Sequence, residues 1–212
     1  MPDICPGSEC PRCPRLVAFR EENRRNWPEW HNAPVPSFGP IDAELLVVGL
    51  APGLRGANRT SRPFTGDYAG QLLYPTLLKF GLAQGNYDEA PDDGLVLVKC
   101  RVTNAVRCVP PANKPIGAEI NACRDYLKAE IGRMARLRVV LALGTVSHTS
   151  ILRAFGLRQA DRRFGHCRFH ELPTGIVLAD SYHCSRYNTN TGRLTEAMFH
   201  EVFAEIVNRL RA

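Results

Sequence analysis

The segment Leu45-Leu46-Val47-Val48 runs without a polar residue into Gly49-Leu50-Ala51-Pro52-Gly53, and this stretch constrains the fold more than any other. A continuous apolar run that stops at a glycine-proline turn is the pattern of a strand buried on both faces. Such strands belong to parallel sheets covered by helices on each side. The turn opens a basic loop, Leu54 to Asp67, which holds Arg55, Arg59 and Arg62, several hydrogen-bonding side chains, Phe64 and the Asp67 carboxylate. In open α/β sheets ligands bind beyond the carboxyl ends of the strands, so this loop is expected to carry chemistry.

The rest of the chain repeats the alternation. Helical patterns are expected from the Cys10-Pro11-Arg12-Cys13 turn through Asn26, from Asp67 to Gly81, from Ile116 to Arg136, from Gly144 to Phe155 and from Arg193 to Leu210. Strands are expected at Leu95–Asn104, Arg138–Leu143 and Ile176–Ala179, with loops at Trp27–Pro40 and Ala83–Gly94. Strands alternating with helices predict a three-layer α/β/α sandwich around a central four-stranded parallel sheet. A length of 212 residues suits one domain spanning 1–212, its N-terminal segment carrying a cysteine pair.

A net charge of +6 and an isoelectric point near 9.0 suit a polyanionic partner such as nucleic acid. There is no apolar run of membrane-spanning length, and the N-terminus lacks the charged and apolar regions of a signal peptide. A cytoplasmic monomer is the expectation. Eight cysteines without an export signal point to metal or buried thiols rather than disulfides. Cys10 and Cys13 sit two apart in a tight turn; Cys108 follows the second strand, and Cys123 lies on the next helix. Four thiolates so arranged suit either tetrahedral zinc or a [4Fe–4S] cluster. Pro11, Pro14, Pro110 and Pro111 stiffen the ligand loops, favouring a structural site. Cys5 is a looser substitute for Cys10, while Cys100, Cys167 and Cys184 read as core or loop residues.

A second chemical stretch, His183 to Thr195, begins at the end of the last strand and therefore on the same sheet edge as the first loop. Ser185, Arg186 and Asn188 suit phosphate contacts. A Ser–His hydrolase built on Ser181, His183 and Ser185 lacks the G-x-S-x-G elbow. Neither a P-loop nor a dinucleotide fingerprint is present.

Together these pieces resemble the uracil-DNA glycosylase superfamily, most closely its family 5, the iron–sulfur type related to family 4. Gly49-Leu50-Ala51-Pro52-Gly53 with Arg62-Pro63-Phe64-Thr65-Gly66-Asp67 is similar to that family's first motif, and His183-Cys184-Ser185 through Thr195 to its second. The resemblance implies hydrolysis of the N-glycosidic bond of a deaminated base in DNA, and a [4Fe–4S] cluster on Cys10, Cys13, Cys108 and Cys123. It implies that Leu50, Ala51, Pro52, Gly53, Phe64 and Asn104 form the base pocket. Arg55, Arg59, Arg62, Ser185, Arg186 and Asn188 then hold the DNA, and His183 stabilises the departing base anion.

The departures are informative. The best-known members carry a water-positioning Asp where this chain has Ala51 and a base-excluding Tyr where it has Gly53; family 4 has Glu in place of Leu50. Asp67 is the carboxylate left to act on water, with a helix N-cap as its alternative role. The open Gly53 position implies a wider range of bases, hypoxanthine and xanthine included. Cys184 replaces the usual Pro of the second motif, and Ser61 the usual Gly of the first. No lysine stands near either motif as a Schiff-base nucleophile; Lys99, Lys114 and Lys128 read as surface or phosphate contacts. The expected activity is therefore monofunctional. A non-catalytic protein that holds damaged or abasic DNA is the competing reading, and a zinc-dependent nucleic-acid module a third.

Overall fold

The structure, a computed structural model, describes residues 3–211. In chain order the elements are α1 Pro14–Asn26, β1 Leu45–Gly49, α2 Ala57–Thr60, α3 Tyr68–Lys79, β2 Ala83–Gln84, β3 Val96–Leu97, β4 Cys100–Asn104, α4 Gly117–Arg133, β5 Val139–Leu143, α5 Thr145–Ala154, β6 Phe169–Glu171, β7 Val177–Ser181, α6 Arg186–Asn190 and α7 Glu196–Arg211. The sheet order is β4-β1-β5-β7-β6. The first four strands run parallel, and β6 pairs antiparallel with β7 at the edge.

Alternation in β1 divides the core. Leu45 and Val47 face α3 and α7, packing in one cluster with Leu73, Leu77, Phe199 and Phe203. Leu46 and Val48 face α4 and α5, in a second cluster with Leu127, Ile151 and Leu152. All five residues of β1 are buried, as a central strand between two helix layers requires. α1 packs outside this frame, burying only Leu16, Arg20 and Asn23 along its length. Charge helps to fasten it: Arg15 is bidentate to Glu119 at the start of α4, at 2.7 and 2.8 Å, and Arg12 reaches Asp125 at 2.9 Å.

Two expectations are corrected. The sheet has five strands rather than four, because Leu172–Ile176 makes a tight turn that folds three residues back onto β7 (Leu172 N–H donates to Ile176 O, 2.9 Å). An edge strand this short leaves almost no periodic signal. The expected strand Leu95–Asn104 is two strands: Lys99 takes a left-handed φ of 55° and breaks it. The first piece, β3, pairs antiparallel with β2, a short strand at the start of the expected 83–94 loop.

Parallel register places the working edge. Gly49 pairs with Asn104, and Leu143 with Ser181, so β1, β4, β5 and β7 end level and their following loops leave the same side. Among the described residues, no helix is long and apolar enough to cross a membrane.

Candidate active site

Gly49 is wedged between the Asn104 amide and the Phe64 ring, and a Cβ there would strike both. A glycine is therefore required where β4 and the basic loop deliver Asn104 and Phe64 to one point. The basic loop then makes a single helical turn, α2, which ends in a left-handed Ser61. Asp67 caps α3: Oδ1 accepts from the N–H groups of Ala69 (3.1 Å) and Gly70 (3.4 Å). Its other oxygen, Oδ2, lies beside Gly53 and Gly56, where added Cβ atoms would approach to 3.3 and 2.6 Å. That oxygen has no hydrogen-bond partner among the described residues. The N-cap role expected for Asp67 is thus met by one oxygen alone, which leaves the other free. Burial raises its pKa, opposed by the two backbone hydrogen bonds.

The loops enclose a cavity of about 520 Å³ lined by Leu50, Ala51, Gly53, Asp67, Tyr68, Ala69, Asn113, Leu143 to Val146, His183, Ser185 and Arg186. His183 stands two residues beyond β7. Asn188 Nδ2 donates to its carbonyl at 2.8 Å, and Gly144 N–H donates to Ser181 O at 2.8 Å, which fixes the loop's path. Burial without a counter-charge pushes the His183 pKa down to about 4, so the ring is neutral at neutral pH. Nδ1 is sealed and unpartnered, which leaves Nε2 as the nitrogen open to the cavity. Phe64 stacks on His183, with ring centroids 6.0 Å apart at 27°. It is 5% exposed and forms the wall behind the imidazole rather than the open lining. Asn104 is 3% exposed, yet its amide makes no hydrogen bond among the described residues. Pro52 is buried behind the turn.

The expected DNA contacts divide. Arg55 and Arg59 are exposed on the loop, Arg59 Nε donating to Arg55 O at 3.0 Å. Arg186 is exposed at the cavity mouth, its guanidinium 5.2 Å over the Tyr68 ring. Ser185 lines the cavity and caps α6. Arg62 is a correction. It is 5% exposed, bidentate to Asp93 at 2.8 and 2.7 Å, and flanked by the rings of Phe38, Tyr74 and Tyr87. It holds the loop to the body of the protein and is not available to a phosphate. Asn188, by its bond to the His183 carbonyl, acts on the loop as well.

The four singled-out cysteines come together. Cys10, Cys13, Cys108 and Cys123 ring one small cavity, sealed by Pro6, Leu16, Val17 and Val106. Arg107 N–H donates to Cys123 Sγ at 3.3 Å, and Cys10 Sγ lies 3.8 Å from Tyr126 Oη. Burial and the neighbouring sulfurs raise the Cys108 thiol to about 12, and burial raises Cys123 to about 11. Arg20 also lines the cavity, 4% exposed, with its Nε buried and unpartnered. Cys5 is not in the ring. Leu16, Val106 and Cys123 pack against Ala51, so the cysteine ring stands directly behind one wall of the larger cavity.

Several functional-looking residues gave no sequence signal. Tyr68, Asn113, Thr145 and Val146 line the cavity but belong to no recognisable pattern. His148, His170 and Asp180 form a tight group, with His148 Nδ1 2.7 Å and His170 Nε2 3.1 Å from the Asp180 oxygens. The other nitrogen of His148 faces Arg162 O at 2.8 Å, so both ring nitrogens are engaged within the fold.

The uracil DNA glycosylase superfamily model matches residues 36–207. The type-5 uracil-DNA glycosylase of Thermus thermophilus is 46% identical over 202 residues, covering 92% of this chain and 91% of that one. The Pyrobaculum aerophilum type-5 enzyme is 38% identical over 208 residues (96% and 88% of the two chains). The Mycobacterium tuberculosis one is 41% identical over 207 residues (93% and 77%). With a match that takes in β1, the cavity and the His183 loop, this chain belongs to the uracil-DNA glycosylase superfamily, among its type-5 members.

Proposed function

We infer that this protein is a monofunctional DNA glycosylase that hydrolyses the N-glycosidic bond of uracil in DNA and begins base excision repair. The observation that carries the reading is one cavity lined by a neutral His183 and by Asp67 with a free oxygen, with the unpartnered Asn104 amide beside Gly49 at the adjoining strand end. A base inside a duplex must first leave the stack, at a cost of a few kcal/mol. Arg55, Arg59 and Arg186 hold the backbone during that step. Tyr187, 72% exposed beside Arg186, is suited to fill the gap the base leaves. Asn104 offers donor and acceptor to the base edge, and Phe64 backs the imidazole against which it lies.

As the bond breaks, negative charge gathers on the base. No acceptor holds a proton on His183 Nδ1, so the neutral ring can carry its single N–H on Nε2 and donate toward that charge. The free oxygen of Asp67 serves to orient and deprotonate the water that attacks the sugar carbon. Gly53 places no side chain over the base, and on that ground we extend the substrate range to hypoxanthine and xanthine.

The cysteine ring suits a [4Fe–4S] cluster held by Cys10, Cys13, Cys108 and Cys123. A single zinc ion, with Zn–S near 2.3 Å, draws four sulfurs to within about 3.8 Å of one another. Among the described residues no three of these sulfurs lie that close. The cluster's contribution is structural, bracing α1, α4 and the wall at Ala51.

The test is base release from oligonucleotides carrying uracil, hypoxanthine or xanthine, in EDTA, followed by alkali. Strand cleavage that appears only after alkali supports the reading, and His183→Ala should lower release by about 10²–10³ while sparing binding. Tight binding with no release would make the protein a binder of damaged DNA. Colourless protein with stoichiometric zinc would overturn the cluster assignment.

A further inference from the structure

Beside the cavity, and sharing Thr145 and Val146 with it, runs a second hollow of about 190 Å³ between α4 and α5. Its floor has an unusual balance of polar groups. Arg124 and Arg153, from opposite helices, both donate to the same acceptor, Asn121 Oδ1. Neither guanidinium has a carboxylate partner among the described residues; the nearby Asp125 is taken by Arg12. Burial and the charge of Arg153 together hold the Arg124 pKa below its ordinary value. Ser150 lines the hollow, is 1% exposed, and its hydroxyl has no hydrogen-bond partner. Arg124 Nε is buried and unpartnered as well.

Two cations gathered on one neutral acceptor, over a buried hydroxyl with nothing to bond, are short of an anion. The α5 N-terminus at Thr145, with its unsatisfied N–H groups, adds to the deficit. We propose that this hollow binds a backbone phosphate of the DNA strand beyond the flipped nucleotide, with Arg124, Arg153 and Ser150 as its ligands. Continuity with the cavity through Thr145 and Val146 gives the strand its route. The proposal rests on the DNA-binding reading above and adds a contact outside both sequence motifs.

Phosphate contacts by Lys or Arg appear in the salt dependence of affinity, which should lose about one unit of log–log slope per contact removed. Binding to a long uracil-bearing duplex is measured across salt for His183→Ala alone and with Arg124→Gln, Arg153→Gln or Arg153→Glu added. Each Gln variant should lower the slope by about one, and Arg153→Glu should weaken binding further. An oligonucleotide too short to reach beyond the cavity should bind all of them alike. Inorganic phosphate, titrated separately, distinguishes a free anion from the strand. If phosphate perturbs Arg153 while the duplex slope is the same in every variant, the hollow is a free-anion site and the proposal fails. An unchanged slope with no phosphate response also sinks it. Arg153 is exposed, so its variants should fold; thermal melts check this. Base release by the wild type is scored independently, so loss of the glycosylase reading and loss of this one give different results.

Discussion

Two sets of buried polar groups lie on either side of the basic loop, and they differ in whether the fold meets them with charged partners. On the body side, Arg62 is bidentate to Asp93, and Glu130 accepts from both Arg101 (2.7 Å) and Arg107 (2.6 Å), Arg107 also reaching Ser37 at 2.6 Å. On the cavity side, His183 and one oxygen of Asp67 are left open, and the Asn104 amide beside Gly49 makes no hydrogen bond among the described residues. Desolvation penalises polar groups in both places. In the first the fold meets every charge with a partner, Arg107 Nε alone lacking a hydrogen bond, so the groups fix structure. In the second the partners are withheld, so a ligand can supply them. The incomplete set, rather than the more charged one, marks the site.

The largest effect expected from that contrast is on stability. Removing Arg62 leaves the Asp93 carboxylate, its side chain 1% exposed, with two backbone N–H donors and no counter-charge, and Arg62→Ala should cost about 3–5 kcal/mol in urea unfolding. Arg186→Ala, at an exposed position, should stay within about 0.5 kcal/mol. The pH dependence has a definite sign. Arg62 holds the Asp93 pKa below its ordinary value, so this stabilisation is present above the unfolded value of about 3.9 and is lost as pH falls through the folded one. Arg62→Ala should flatten the acid limb of the stability curve. Equal stability losses in the two arginine variants would erase the distinction between the sets.

The next effect is on chemistry. His183→Ala should lower excision by about 10²–10³, the usual cost of removing a preorganised donor, with the melting temperature little changed. Because burial holds the ring neutral down to about 4, the wild-type rate should show no limb from His183 near neutrality.

Asp67 belongs to both sets at once, and substitution can separate its oxygens. Asn caps a helix about as well as Asp, so Asp67→Asn should keep the stability of α3 while lowering excision by about 10². Asp67→Ala should lose the same activity and about 1 kcal/mol of stability besides. In the wild type, activity should rise with pH through the raised Asp67 pKa as the carboxylate forms, and Asp67→Asn should remove that limb. An Asn variant with full activity would leave Asp67 as a cap alone.

Much of this was legible in the chain. The run Leu45–Val48 fixed a parallel central strand, and level strand ends brought Asn104 and His183 to one edge from opposite parts of the sequence. The cysteine spacing anticipated a ring of four. What could not be read was partnership. Arg55, Arg59 and Arg62 look alike in sequence, but Asp93, thirty-one residues beyond Arg62, takes only the last into the interior. Likewise β6 owes its existence to pairing with β7, and Lys99 breaks a strand through a backbone angle that lysine does not advertise.

Asn188 gives the smallest and most discriminating effect. Its sequence setting, among hydroxyls and arginines, suits a phosphate contact, whereas its amide is committed to the His183 carbonyl at 2.8 Å. A single neutral hydrogen bond of this kind contributes about 0.5–1.5 kcal/mol. If the bond positions the imidazole, Asn188→Ala should lower kcat by about three- to ten-fold, the rate equivalent of that energy, with the salt dependence of binding unchanged. If instead the side chain serves the DNA, affinity should fall and kcat should hold. The first outcome would place Asn188 with the completed set that builds the site, and the second would move it across to the groups kept open for the substrate.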